Sequence, residues 1–395
     1  MNRKTHLFYL FPFFLIIYEF CTNMSNDMYL PALPAISHDF KASINIVQLT
    51  ITAWLAGNTS VQLIIGPLAD RFGRRPILLW GGILFLLSTL GCAAASSIFL
   101  FILFRLIQGI SVCTMMVAGY ASIHDLYEDQ KAIHILAWMG SAAVIAPAVG
   151  PVLGGLLLLL GNWRITFYSL FFLGIVSLIG LWFSMPEISI TERKSLKVKS
   201  LISSYKKIIC NLPFITSALS FALVYGGVIG WITASPFLLM EFLGITPVQF
   251  GWLQVPVFGA YIIGAQLVKP LMKKIGKERL ISLGLTISLF GGFCFIIFSF
   301  IAPTHILSYI LPMVGYTMGF GLSAAPLNRT TLTASLEQKG ASIAIFYLTM
   351  TGMGTLTSLI LSLFNETVIS TSLIIAVSIL VSTFLNRMRR KHEAV

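Results

Sequence analysis

The chain has 395 residues, of which 57% are hydrophobic and only 10% charged, against the quarter or so of charged residues usual in soluble domains. That composition excludes a soluble globular protein and points to an all-α integral membrane protein. The net charge of +12 is then a matter of membrane topology and anionic lipid, with no nucleic acid implied.

In chain order, the segment "MNRKTHLFYLFPFFLIIYEFC" has the basic start and apolar middle of a signal peptide. It lacks a small-residue cleavage site and runs on into apolar sequence, so it reads as a retained first span. Apolar windows of about 20 residues, the length a bilayer demands, fall at 8–33, 45–66, 76–95, 98–122, 132–158 and 164–185. A polar, basic stretch from Glu187 to Lys207 interrupts them, and six more windows follow at 212–240, 247–270, 280–301, 304–327, 340–363 and 366–386. The expected organisation is an N-terminal six-helix bundle (1–186), a cytoplasmic linker (187–210) and a C-terminal six-helix bundle (211–395).

The basic residues test this count, because Lys and Arg concentrate in cytoplasmic loops. With both termini on the cytoplasmic side, only Lys41 and Arg164 of the 26 fall on the opposite face, and Arg105 lies within a span. All others, from Arg3 and Lys4 through the linker's Arg193, Lys194 and Lys197 to Lys391, gather on one side. The halves also echo each other: "GPLADRFGRRP" follows the second span and "KPLMKKIGKER" the eighth. Duplicated six-helix halves belong to transporters, whose substrate site lies near the bilayer midplane between them.

Two acids stand out in "LIIYEFCTNMSNDMYLPALP". A carboxylate at bilayer depth costs roughly 2.5–3.5 kcal/mol on insertion scales. At 100° per residue Glu19, Asn23, Asn26 and Asp27 share a stripe about 100° wide, with the two acids about 12 Å apart along the axis. At that separation each acid holds or releases a proton according to its own surroundings. Either can bind a proton or attract a cationic cargo; the plainer alternative is a polar stripe bonded to neighbouring helices. Among spans seven to twelve acids occur only near the ends (Glu241, Glu337, Glu366), so the second half is expected to supply an apolar, aromatic wall from Tyr225, Trp231, Phe258 and Tyr261.

Other residues carry weaker signals. Met139, Ala143, Pro147, Gly150 and Gly154 recur on one face of the fifth window. The expectation is a hinged, sealed contact between halves, with ordinary small-residue packing as the alternative. Arg105 keeps its charge when buried and needs carbonyls, a carboxylate or Gln108; it either couples protons or snorkels to the surface. Gly66 and Gly73 are read as permitting tight turns and close backbone approach, with Asp70 pairing with Arg71 or Arg74 to latch two helices. The five cysteines, Cys21, Cys92, Cys113, Cys210 and Cys294, are scattered singly, and no metal-ligand spacing or phosphate-binding loop is present. His124 and Asp125, adjacent at a helix end, lack a nucleophile or metal-ligand partner, and no enzyme or cofactor is expected.

Several of these stretches carry a family resemblance. "GPLADRFGRRP" (66–76), "RLIQGIS" (105–111), "APAVGPVLGG" (146–155), "YEFCTNMSNDM" (18–28) and "LQVPVFGA" (253–260) resemble the drug/proton antiporters of the major facilitator superfamily, and within them the MdfA-type multidrug antiporters. The resemblance implies twelve helices as two pseudo-symmetric six-helix bundles, in a monomer of the bacterial inner membrane. It also implies proton-coupled export of lipophilic cationic and neutral drugs. Glu19, Asp27, Asn23, Asn26, Met139 and Ala143 would then form the proton and substrate site, with Arg105 and Gln108 coupling protons. Gly66, Asp70, Arg71, Gly73 and Arg74 would form the cytoplasmic latch, and Pro147, Gly150, Pro151 and Gly154 the antiporter hinge. A dedicated exporter of an endogenous siderophore or metabolite would share these motifs.

Overall fold

The computed structural model describes residues 8–186, 198–335, 339–364 and 367–393; Arg3, Lys4, Arg193, Lys194, Lys197, Glu337 and Glu366 lie outside them. Among the described residues every regular element is helical. The first span is α1 (Phe11–Asp27), continued by a 3₁₀ turn (Leu30–Ala32) and α2 (Leu33–Phe40). The second is split into α3 (Ile44–Ser60) and α4 (Gln62–Phe72) at Val61. Next come α5 (Arg74–Ala94) and α6 (Ile98–Thr114), the latter running through a π segment (Met115–Gly119) into α7 (Tyr120–Leu126). Helices α8 (Asp129–Leu157) and α9 (Arg164–Ser184) complete the first half.

A short linker helix, α10 (Val198–Ile209), precedes the second half. There α11 (Leu212–Pro236) ends in a second π segment (Phe237–Phe242). It is followed by α12 (Pro247–Ile275), α13 (Lys277–Ile301), α14 (Leu307–Thr333), α15 (Lys339–Leu363) and α16 (Val368–Glu393). Among the described residues ten continuous helical stretches are each long and apolar enough to cross a membrane. The first two expected windows are helical as well but broken, at Met28–Tyr29 and at Val61. That makes twelve spans among the described residues.

Local chemistry sets the helix starts. The Ser97 hydroxyl accepts from the Leu100 N–H, and the Asn211 side-chain oxygen from the Phe214 N–H. Thr246 and Gln249 form a reciprocal capping box with Pro247 in the first turn. Between helices, where lipid offers no hydrophobic drive, small residues allow backbones to touch. A Cβ on Gly57 would overlap the Leu106 carbonyl oxygen, and one on Gly109 that of Trp54, so α3 and α6 cross at backbone contact. Gly284 and Gly319 do the same for α13 and α14.

Within the first half α1 packs on α8 and α9, and α5 on α6 and α9; within the second, α11 packs on α15 and α16, and α14 on α12 and α13. The halves meet through α8 against α12 and α3 against α15. One face of the molecule carries Arg71, Arg74, Arg75, Lys131 and Lys206 and is called the basic face below. The halves close on each other at the opposite face, where a Cβ on Gly155 would lie 2.5 Å from the Pro247 oxygen and one on Gly251 would lie 2.5 Å from the Pro151 oxygen. Hydroxyl pairs add to this seam: Thr52 to Ser358 at 2.8 Å and Thr59 to Thr355 at 3.2 Å.

Two expectations need correction here. Gly150 and Gly154 do not face the other half. Added Cβ atoms there would meet Asp27 and Met24, and Met28 and Pro31, so these glycines let α1 and its continuation lie against α8 inside the first half. The contact between halves falls to their helix neighbours Pro151 and Gly155. Gly66 also lies inside α4 with only Val117, 3.8 Å from an added Cβ, nearby; it serves no close approach. Gly73 does serve the turn, as the break between α4 and α5 at φ 101°, a conformation L side chains rarely adopt.

The α3–α6 crossing gives a direct prediction. Gly109→Ala has no room to relax against the Trp54 backbone and should lower stability by about 1–3 kcal/mol, read as an earlier thermal melt in detergent. An equivalent Gly140→Ala, where nothing lies within 4 Å of the added atom, should leave the melt unchanged.

Candidate functional site

Arg105, on α6, is completely buried, so it does not snorkel. Its Nη1 donates to the Ser25 carbonyl at 2.8 Å and to Gln108 Oε1 at 2.5 Å. Its Nε donates to the Thr50 carbonyl at 3.3 Å, and its Nη2 to Asn26 Oδ1 at 3.4 Å. The Tyr29 ring covers the guanidinium at 4.2 Å. Gln108 passes the chain on by donating to the Thr89 hydroxyl at 2.8 Å. Among the described residues Arg105 forms no ion pair; its charge is met by neutral oxygens and a π face.

Asn26 links this cation to an acid. While its oxygen accepts from Arg105, its Nδ2 donates to Asp27 Oδ1 at 3.2 Å. Asp27 is buried, held between the Gly150 backbone of α8 and its own helix. Glu19 is buried two turns away in separate surroundings. Its Oε1 accepts from Asn23 Nδ2 at 3.0 Å and from the Tyr120 hydroxyl at 3.3 Å, while Oε2 is buried with no hydrogen-bond partner. A buried carboxyl oxygen without a donor is costly and suits a protonated acid or a cation brought by cargo.

Tyr347 and Tyr225 of the second half lie close enough to interact electrostatically with Glu19 and with Asp27, respectively. Tyr120, which the sequence reading missed, starts α7 immediately after the π segment, a feature frequent at functional sites. Of the other expected site residues, Met139 is fully buried, and Ala143 and Pro147 are half-buried on α8. In the second half Trp231 donates to Gln254 Oε1 at 2.9 Å and packs edge-on to Phe295, which makes it part of that half's own core. Tyr261 lies tilted on Phe320, Phe258 is buried, and Tyr225 abuts Gly354.

On the basic face Asp70 pairs with Arg74 at 2.8 Å, while Arg71 stacks over Phe72 at 5.3 Å. Arg74 also bonds Asp125 at 3.1 Å, tying the ends of α4 and α7 to the start of α5. Asp125 was visible in the sequence beside His124, but nothing there showed that a cation 51 positions away would claim it. Arg75 donates to the Trp182 carbonyl at 2.8 Å, fastening α5 to α9. The second half repeats the device with other atoms: Gly276, at φ 79°, opens α13, and Glu278 pairs with the buried Arg389 at the end of α16. No cluster of metal-ligating side chains occurs among the described residues.

The Major Facilitator Superfamily sequence model matches residues 15–359. The chain belongs to the major facilitator superfamily. Among relatives in this superfamily, the multidrug resistance protein MdtM of Escherichia coli O157:H7 is 33% identical over 84% of this chain and 80% of its own. The multidrug transporter MdfA of Yersinia pestis bv. Antiqua (strain Angola) is 35% identical over 84% and 81%. Two solved structures share the superfamily fold at low identity. One is a bacterial homolog of the human lysosomal transporter Spinster in an inward-facing, unoccupied conformation (TM-score 0.77, 15% identity, 99% of both chains). The other is the xylose transporter XylE from E. coli in a partially occluded inward-open conformation (TM-score 0.76, 14% identity, 96% and 97%). The protein is thus a multi-pass membrane protein of a transporter superfamily.

Because Arg74 takes both carboxylates, the latch is a three-member network. Asp70→Asn and Asp125→Asn should each lower the melting temperature slightly, by the equivalent of roughly 0.2–1 kcal/mol for such part-exposed pairs. The double variant should fall by clearly less or more than the sum; strict additivity would mean the two acids act independently.

Proposed function

We propose that this protein exports lipophilic cationic and neutral drugs from the cytoplasm in exchange for protons, by alternating access, and performs no covalent chemistry. The observation carrying the reading is the division of labour on α1. Asp27 is joined through Asn26 to a guanidinium that never loses its charge, while Glu19 keeps one oxygen unpartnered. The names of the MdtM and MdfA relatives support the same direction.

In this reading the basic face is cytoplasmic, with both termini there, in the inner membrane of a bacterium and as a monomer. The two transporting units are residues 1–186 and 211–395, joined by the linker 187–210. With the opposite face closed as it is here, cargo enters from the cytoplasm or inner leaflet while Asp27, alone or together with Glu19, is ionised. A cationic cargo places its charge against the Glu19 oxygen that lacks a donor. The halves then rock, protonation from outside neutralises the acid and releases the cargo, and the protein returns carrying the proton. Arg105, itself held by Gln108, bonds Asn26 so that the protonation state of Asp27 is felt in α3 and α6. Pro151 and Gly155 form the backbone seam that must part for release, with Pro147 weakening the α8 ladder below it.

The driving force suffices. One charge moving down about 150 mV releases roughly 3.4 kcal/mol, a few-hundred-fold gradient of a neutral drug. For a monovalent cation exchanged against one proton the electrical part cancels, leaving the pH gradient.

Respiring inverted membrane vesicles, acidified inside, test this. Adding several unrelated lipophilic cations and neutral drugs should draw protons out of the lumen, and a Glu19→Gln/Asp27→Asn variant should abolish the response. A response to a single endogenous compound alone would replace the reading with a dedicated exporter; drug export undiminished in the variant would refute it.

A further inference from the structure

Pro67 sits inside α4 within the basic-face motif and has no N–H, so the carbonyl four residues earlier, that of Leu63, loses its helical donor. That carbonyl is not left empty. The Tyr205 hydroxyl of the linker helix α10 donates to it at 3.2 Å, across 142 positions of sequence. Helix α10 is carried by the second half: it leads straight into α11 and packs against α11 and α15. Its apolar side, with Leu201, Tyr205 and Ile208 at helical spacing, faces the protein, while Ile202, Lys206 and Lys207 are exposed. Burial, with the Asp70 carboxylate nearby, pushes the Tyr205 phenol up from its ordinary range, so it is a hydrogen-bond donor at any physiological pH.

We infer that the linker helix is a clasp between the halves: Tyr205, fixed to the second half, docks on the first through a carbonyl that Pro67 holds open, and restrains their separation at the basic face. The linker is then a working part of the cycle and Tyr205 a positioning residue, while Pro67 acts as the socket by withholding a donor. This rests on the exporter reading only for its effect on transport; the docking itself does not.

Spin labels at Ile64→Cys on α4 and Ser203→Cys on α10, in a Cys210→Ser background, read the docking without any cargo. The distance distribution should be narrow in the parent. Tyr205→Phe should lower the ratio of docked to undocked molecules about fivefold, the equivalent of one hydrogen bond of about 1 kcal/mol. Pro67→Ala gives Leu63 its own helical donor and should produce the same loss, and adding Tyr205→Phe to it should change nothing further. Pro67→Ser restores the same N–H and takes its place if Pro67→Ala does not fold. Drug-driven proton exchange should slow in Tyr205→Phe with the melting temperature unchanged.

A distribution unaffected by Tyr205→Phe overturns the clasp, and so does a loss of equal size whether or not the Pro67→Ala change is also present. Undocking with normal exchange overturns its part in the cycle. Absence of any drug–proton exchange in the parent would instead count against the exporter reading and leave the distance result standing.

Discussion

A guanidinium that cannot be neutralised lies wholly buried in the first half, and the arrangement around it follows from that. At this depth every donor needs an acceptor. The acceptors are the carbonyls of Ser25 and Thr50, the side chains of Gln108 and Asn26, and the Tyr29 ring. The Thr50 carbonyl is in range because α3 crosses α6 at backbone contact, which Gly57 and Gly109 permit. The Ser25 carbonyl comes from α1, which lies against α8 at Gly150 and Gly154. Glycines without a chemical role thus decide where the charge can be satisfied. Since Arg105 spends no bond on a carboxylate, a change in the protonation of Asp27 would not strip the guanidinium of a partner.

The contrast between contacts inside and between the halves is physical as well. Each half is fastened on the basic face by ion pairs or charge-assisted bonds, Arg74 with Asp70 and Asp125 in the first and Glu278 with Arg389 in the second. Between halves glycine and proline backbones meet, and the polar contacts are hydroxyl pairs such as Thr52 with Ser358 and single bonds to carbonyls, Gln48 to Thr233 and Tyr205 to Leu63. Hydroxyls exchange partners with water at little cost. Rigid halves with a readily opened seam are what rocking motion requires. A separate tie on the opposite face, Asp39 with Arg164 at 2.8 Å and with the Trp163 indole at 2.9 Å, joins α2 to α9. These partners hold the Asp39 carboxyl below its usual range, so this tie persists down through mildly acidic pH and is lost only as the acid finally protonates.

Much of this was legible in the residues. Hydropathy and the distribution of Lys and Arg yielded the twelve spans, and helical periodicity placed Glu19, Asn23, Asn26 and Asp27 together. The pairing of Asp70 with Arg74 and the turn at Gly73 followed from spacing. Periodicity names a face but not its neighbour, which is why Gly150 and Gly154 were assigned to the wrong partner, one helix position from the Pro151 and Gly155 that do touch the other half. The break at Val61 has no proline or glycine to announce it. Tyr120, Asp125 and Tyr205 gain meaning only from residues 101, 51 and 142 positions away. For Tyr205 a signal did exist: a proline inside a helix frees a carbonyl that another donor can claim.

The central claim is that cargo and proton compete for the acids of α1. Proton release on drug binding tests it most directly, measured with purified protein in weakly buffered detergent across a range of pH. The account predicts that a lipophilic cation releases protons on binding and that Asp27→Asn reduces the release while Glu19→Gln/Asp27→Asn eliminates it. Drug binding with no proton release at any pH, or release undiminished in the double variant, would contradict it.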